Sequence, residues 1–257
     1  MPELPEVETI ARQLDKVITN KKIERVEVLE RKSFFGDARE LEGRKIVKVD
    51  RHSKMIVWHL DNEEVVVMIH LKMTGQLVWR SGNKQVVGGH PSEDWNAKLP
   101  NNHTRVVIDL SDGSKLFFND LRIFGWMKLV KTEAFRAQIS KLPPDVVDEA
   151  FTFDYFSSVL GKSGRAIKLV LMDQQKIGGV GNIYANDALN LAKINPKRPA
   201  KSFNSDEGEK LYIAVKEVIA KGIKFGGATY SDYRDVKGQG GRYQEHFLVY
   251  NREGEKC

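Results

Sequence analysis

The first six residues, Met1-Pro2-Glu3-Leu4-Pro5-Glu6, set an unusual amine beside two carboxylates at a chain end. Removal of Met1 ahead of a small second residue would leave Pro2 as a free secondary amine. An α-amino group has an ordinary pKa of about 7.7 to 8.0, against about 10.4 for lysine, so a useful fraction is neutral near pH 7. Such an amine attacks an aldehyde-like carbon to give an iminium, an electron sink that lets neighbouring bonds break. Glu3, the next residue, is placed to shuttle protons, and Glu6 is the second carboxylate of the stretch. The bland alternative is a frayed and idle tail.

The element that must hold this end is a helix. Pro5 suits a first helical turn, and Val7, Ile10, Leu14, Val17 and Ile18 follow at helical spacing until the pattern fades near Asn20 to Lys22. Short β-type runs come next, at Ile23 to Leu29, Lys45 to Asp50, Met55 to Leu60, Val65 to His70, Leu77 to Trp79, Arg105 to Leu110, Lys115 to Phe118 and Met127 to Val130. Ser111-Asp112-Gly113-Ser114 joins two of them as a hairpin, and the set predicts an antiparallel β-sandwich. Arg80 to Asn102, with Gly88, Gly89, Pro91 and Pro100, reads as a long surface loop. Near Leu142-Pro143-Pro144-Asp145 the pattern turns helical, with helices expected at Phe153 to Leu160, Ala166 to Asp173, Ile183 to Ala192 and Asp206 to Lys221. Glycines return from Gly226, and Glu245 to Tyr250 resumes a β pattern.

Other residues could join the chemistry. Gly178-Gly179-Val180-Gly181-Asn182 precedes a helical stretch whose first amides can bind a phosphate, with Asn182 adding a side-chain amide. The run lacks a preceding strand and has Tyr184 where a third glycine would be needed, so it is not a dinucleotide fingerprint. Arg122 and Phe124 lie two apart at the end of a hairpin, on one face if the strand continues. A guanidinium there can pair with an orphaned base while the ring wedges into a base stack. Met73 could fill space left by a displaced base. The plainer alternatives are core packing for Phe124 and Met73, a surface Arg122 and a solvated Lys54.

Composition bounds these options. The 257 residues carry a formal net charge of +6 and suggest two domains and a polyanionic partner. A single cysteine, Cys257, excludes an internal disulfide framework, and the six histidines show no pair at metal-ligand spacing. No apolar run approaches the roughly 18 residues of a membrane span, and no secretory signal precedes the first helix, so a cytoplasmic protein is expected.

Met1 to Thr9, Lys54, His70-Leu71-Lys72-Met73-Thr74-Gly75, Asp120 to Gly125, Leu171-Met172-Asp173, Gly179 to Ala185 and Gly226 to Gln244 resemble, in order and over essentially the whole chain, the bacterial formamidopyrimidine-DNA glycosylases. The resemblance implies an α+β protein in three parts. Residues 1–135 would be a catalytic β-sandwich with an N-terminal helix, 136–225 a helix-two-turns-helix DNA-binding domain, and 226–257 a lesion-recognition loop with the start of a truncated zinc finger. It implies removal of oxidised purines from double-stranded DNA and cleavage at abasic sites by a monomer without a redox cofactor. Pro2 would be the nucleophile, Glu3 the acid/base, Glu6 a supporting carboxylate and Lys54 a contact to phosphate or lesion. Met73, Arg122 and Phe124 would fill the duplex, while His70, His103, Lys168 and Asn182 would contact DNA. Thr229, Tyr230, Arg242 and Tyr243 would belong to the loop over the flipped base.

The chain departs from the family pattern at Leu121, Ile123 and Ser163, and it stops at Cys257, one of four zinc ligands, so structural zinc is not expected to bind. An oxidised-pyrimidine glycosylase and a damage-binding module that does not cut are the alternative functions.

Overall fold

The computed structural model of the chain describes residues 1–89, 98–228 and 241–256. Two compact units emerge: the first takes Met1–Pro2 and Glu6–Ser140, the second Glu3–Pro5, Lys141–Ala228 and the residues from Arg242 onward. The first helix, α1 (Leu4–Ile18), therefore begins in the second unit and continues in the first. Val7, Ile10, Ala11, Leu14 and Ile18 form the stripe it buries in the first core, the i, i+3, i+4, i+7 pattern that an amphipathic helix requires. Asn20, in the left-handed region at φ 69°, ends it.

The first unit is a sandwich of two five-stranded sheets. Its strands are β1 (Ile23–Val28), β2 (Phe34–Phe35), β3 (Ile46–His52), β4 (Met55–Leu60), β5 (Val65–His70), β6 (Gly75–Ser81), β7 (Lys84–Gly89), β8 (Thr104–Leu110), β9 (Lys115–Asp120) and β10 (Trp126–Lys131). One sheet runs β1-β8-β9-β6-β7 and the other β2-β10-β5-β4-β3. All pairs are antiparallel except β2 with β10. Alternation sorts the side chains: Leu77 and Trp79 of β6 join the core with Trp58, Ile69 and Phe118, while Val78 packs with Val87, Val107 and Phe117 in a separate cluster.

The expected loop from Arg80 is partly sheet, because β7 pairs back onto β6 from Ser81↔Lys84 to Gln76↔Gly89. Its strand text, Lys84 to Gly89, ends in two glycines that mask the pattern. Gly88 is nevertheless required, since a Cβ there would meet the Ile10 side chain of α1. A further helix, α2 (Thr132–Ile139), follows β10 and is not among the helices expected from the sequence.

The second unit holds α3 (Phe153–Gly161), α4 (Ile167–Leu171), α5 (Asn182–Leu191) and α6 (Ser205–Lys224). Phe156, Leu160, Val170, Tyr184, Ala188, Leu211 and Val215 are among its core residues. A capping box between Asn204 and Glu207 fixes the start of α6. Gly222 of α6 has no Cβ to collide with Tyr184 and Pro5. The β pattern expected at Glu245 to Tyr250 is not realised. A 3-10 turn at Tyr243–His246 and further turns stand there, because the backbone amides of Leu248 and Val249 donate to the Asp187 carboxylate instead of to a strand. No helix among the described residues is long and apolar enough to cross a membrane.

Candidate functional site

In the second unit the beginning of the chain is docked, not frayed. The Leu4 amide donates to the Gly179 carbonyl at 3.0 Å, and Gly179, at φ 88°, leaves room for the Leu4 side chain. Glu3 is 3% exposed, and its carboxylate accepts from the Ile183 amide at 2.9 Å and the Tyr184 amide at 3.5 Å. These are first-turn amides of α5, the end where a helix carries partial positive charge. The amides expected to face a phosphate thus face Glu3. Gly181 makes this possible, since a Cβ there would stand within 2.6 Å of Glu3 Cγ and Oε1. Gln174 holds the glycine turn from the other side, accepting from the Gly179 amide at 3.0 Å and donating to the Val180 carbonyl at 2.6 Å. Sequence reading missed Gln174; a side chain that both donates and accepts, just before a glycine run, was the available signal.

In the first unit Pro2 and Glu6 are half-buried, and Lys54 is 5% exposed, which removes the solvated-lysine alternative. Lys54 follows a turn built by an unnoticed ion pair. Arg51 Nε donates to Glu8 Oε2 at 2.7 Å and Arg51 Nη1 to the Ser53 carbonyl at 2.8 Å, while Arg12 Nε donates to Glu8 Oε1 at 2.6 Å. Burial alone would raise the Glu8 carboxyl, but its hydrogen bonds and attraction to Arg51 and Arg12 outweigh this and hold it below the usual range. Ser53 sits at φ 54°.

Two further turns of this unit have the same feature. Lys72, before Met73, is at φ 52°, and Ile123, between Arg122 and Phe124, is at φ 58°. Non-glycine residues in the left-handed region cost about 1 to 3 kcal/mol and gather at working sites. Each of the three turns carries a residue singled out from sequence. Met73 is 43% exposed and Phe124 53%, so neither is core. Arg122 and Phe124 do not continue a strand as expected: β9 ends at Asp120, and Ile123 reverses the chain so that the Arg122 guanidinium stacks over the Phe124 ring with its carbon 4.7 Å from the centroid.

His70, at the end of β5, accepts the Lys72 amide on Nδ1 at 3.0 Å, which leaves its proton on Nε2. Burial first, then the charges of Lys72 and Lys54, lower its pKa to about 4, so it is neutral at pH 7. His103 is half-buried, and its carbonyl accepts the Asp120 amide at 2.9 Å.

In the second unit Asn182 is exposed at the head of α5, and Lys168 is half-buried on α4. Ser163, one of the departures noted above, is buried, and the adjacent Lys162 is exposed. After α5, the basic residues Lys193, Lys197, Arg198 and Lys201 follow within nine positions, and Arg198 is committed to a two-point ion pair with Glu207, at 2.5 and 2.7 Å. Arg242 is exposed and pairs with Glu245, whereas Tyr243 is buried and donates to Asp187 at 2.9 Å. Thr229, Tyr230 and Cys257 lie outside the described residues. Among the described residues no three His, Cys, Asp or Glu side chains gather as a metal site. With one cysteine in the chain, the residues present do not fit a four-ligand zinc finger.

Comparison with known proteins gives this geometry a context. A family model described as the formamidopyrimidine-DNA glycosylase N-terminal domain matches residues 1–127, and one described as the formamidopyrimidine-DNA glycosylase H2TH domain matches residues 142–234. The formamidopyrimidine-DNA glycosylase of Pelotomaculum thermopropionicum is 38% identical over 264 residues, covering 100% of this chain and 90% of its own. That of Desulforamulus reducens is 39% identical over 268 residues, with the same coverage of 100% and 90%. Among solved structures, the MutM (Fpg) protein of Thermus thermophilus superposes with a TM-score of 0.84 at 35% identity, over 100% of this chain and 90% of that one. Wild-type Lactococcus lactis Fpg, in complex with DNA containing N7-benzyl-Fapy-dG, gives a TM-score of 0.85 at 29% identity, again over 100% and 90%.

Proposed function

The chain belongs to the formamidopyrimidine-DNA glycosylase family, and from that premise we propose that it removes oxidised purines, 8-oxoguanine and formamidopyrimidines, from double-stranded DNA and then cleaves the strand. Pro2, freed by removal of Met1, attacks C1′ of the lesion nucleotide. The glycosidic bond breaks and the base leaves, taking up a proton. The sugar opens between C1′ and O4′, with a proton delivered to O4′, and an iminium joins Pro2 to C1′. The iminium acidifies C2′; loss of a C2′ proton expels the 3′ phosphate, and a second elimination, in which the now conjugated C4′ loses its proton, expels the 5′ phosphate. Water then hydrolyses the iminium, which releases the sugar fragment as an aldehyde and restores the Pro2 amine.

In this scheme Glu3 carries protons to and from the opening sugar, Glu6 supports it, and Lys54 contacts the phosphate or lesion. A base within a duplex is out of reach, so it must be extruded at a cost of a few kcal/mol. Met73, Arg122 and Phe124 offset that cost by entering the vacated stack, with Arg122 facing the estranged cytosine. His70, through its Nε2–H, and His103, Lys168 and Asn182 bind the backbone, and the net positive charge makes the affinity salt-dependent. The enzyme acts as a cytoplasmic monomer on chromosomal DNA.

The observation that carries this function is the buried Glu3, held by two α5 amides beside the residue that is to become the amine. A frayed tail would not spend two helix amides on one carboxylate. The test is borohydride trapping on a duplex with 8-oxoguanine opposite cytosine. A covalent adduct that disappears in Pro2→Gly is expected; tight binding of this duplex with no adduct would overturn the chemistry.

A further inference from the structure

Asp120, the last residue of β9, is fully buried, and the steps above give its carboxylate no task. Its surroundings suit a clamp. The Gly125 amide donates to Oδ2 at 2.6 Å, the Arg122 amide to Oδ1 at 3.1 Å, and the Thr74 hydroxyl makes a short hydrogen bond to the same Oδ1. Thr74 Oγ1 also accepts from the Arg122 amide at 3.1 Å. The main chain adds two bonds: the Asp120 amide donates to His103 O at 2.9 Å, and Arg105 Nε donates to Asp120 O at 2.8 Å. One residue therefore ties together the turn that displays Met73, the turn that displays Arg122 and Phe124, and the start of β8 beside His103.

A carboxylate is the side chain for this task. It only accepts, it offers about four lone-pair sites, and hydrogen bonds to it are roughly twice as strong as neutral ones. Asparagine would turn an NH2 group against at least one of the three donors. Gly125 is matched to it, since a Cβ there would stand 3.0 Å from Asp120 Oδ2 and 2.9 Å from Phe118 Cζ, too near for the 2.6 Å bond to persist unaltered. The clamp also opposes a tendency to relax, because Lys72 and Ile123 are both held in the left-handed region that L residues avoid.

We propose that Asp120 is a positioning residue that sets Met73, Arg122 and Phe124 in one arrangement before DNA arrives, so that the three side chains enter the duplex as a unit; this rests on the wedge role given to them under the proposed function. Preorganisation of that kind removes an ordering cost from the encounter. Loss of the clamp then harms only reactions in which a paired base must be displaced.

The experiment compares single-turnover cleavage by the full chain of two substrates: 8-oxoguanine opposite cytosine in a duplex, and an aldehydic abasic site in a single strand, which has no partner to displace. Asp120→Asn is expected to slow the first by roughly 10- to 100-fold, the scale of one charge-assisted hydrogen bond, and the second by less than about two-fold. It should also flatten the preference for cytosine over adenine opposite the lesion and add no further loss to Arg122→Ala. Thr74→Val keeps the carboxylate and removes only the hydroxyl link between the turns, so it decides the matter if Asp120→Asn does not fold. Its expected loss is several-fold and again confined to the paired lesion. Equal loss on both substrates, or none on either, overturns the positioning role. A wild-type chain that cuts neither substrate and traps no adduct overturns the proposed function, and the clamp's role falls with it.

Discussion

Gly181→Ala adds one methyl group and no functional atom, yet it should disable the site. The three atoms nearest to the added Cβ all belong to the Glu3 side chain: Cγ and Oε1 at 2.6 Å, with Cδ nearer still. Ordinary carbon contacts lie near 3.5 to 4.0 Å, so Glu3 must leave its place. Overpacking of this kind costs about 1 to 3 kcal/mol, and displacement of Glu3 relieves the clash at the expense of the Ile183 and Tyr184 amides, which lose their acceptor, so one cost replaces the other. A loss near 2 kcal/mol corresponds to a fall in melting temperature of about 4 to 8 °C in a chain of this size. Gly181 has an ordinary extended conformation (φ −132°, ψ −158°), so the backbone itself tolerates alanine. The decisive assay is a double-mutant cycle. Glu3→Ala alone should cost about 2 kcal/mol through the orphaned amides, and adding Gly181→Ala to it should cost little more, because the obstructing atoms are gone. The expected coupling is therefore about 2 kcal/mol in size and opposite in sign to the single losses. Trapped adduct should fall by at least about 100-fold in Gly181→Ala, the low end for loss of an acid/base group. Equal destabilisation by Gly181→Ala with and without the Glu3 side chain would refute the reasoning.

His70 predicts a pH effect. Its pKa lies near 4 in the fold against 6.5 for the free side chain, so its contribution to stability is complete above 6.5 and is lost as the pH falls toward 4. The shift is equivalent to about 3 kcal/mol. Urea melts at pH 7 and pH 4.5 should therefore show a larger acid loss in wild type than in His70→Gln, and identical losses would count against it. Asp187 has the opposite sign: burial raises its pKa in spite of hydrogen bonds from Tyr243, Leu248 and Val249. Its contribution is fullest below the ordinary carboxylate value and declines as the pH rises through the raised one, so Asp187→Asn should melt no lower than wild type at pH 7, whereas Tyr243→Phe should lose about 1 to 3 kcal/mol. Arg51→Met should cost about 3 kcal/mol by leaving the Glu8 carboxylate with only the exposed Arg12 and by releasing the Ser53 carbonyl, with partial recovery of melting temperature in Arg51→Met/Glu8→Leu. Trapping by the single variant should weaken as Lys54 loses its support, and unchanged trapping would separate the ion pair from the site.

Much of the chain was legible because its signals are local. The α1 stripe repeats every three to four residues, and β4 and β5 begin and end where their β-branched runs do. Propensity failed where a partner elsewhere sets the conformation. β7 ends in glycines and forms only because β6 supplies its hydrogen bonds, and Leu248 and Val249 give their amides to Asp187 although their text is β-like. Arg122 and Phe124 share a side as expected, but through a left-handed Ile123 that no strand periodicity describes.

The sequence by itself determined the candidate nucleophile, the carboxylate beside it, the candidate wedge residues and the family, since each is a matter of residue type and order along the chain. Only the tertiary structure decided that Glu3 consumes the α5 amides, that Lys54 is buried after a turn tied by Arg51, and that Asp120 joins two turns. Glu3 and Ile183 are 180 residues apart, and Thr74 and Asp120 are 46 apart. A hydrogen bond across such a separation depends on where folding brings the two ends, and neither end carries a local pattern that names the other.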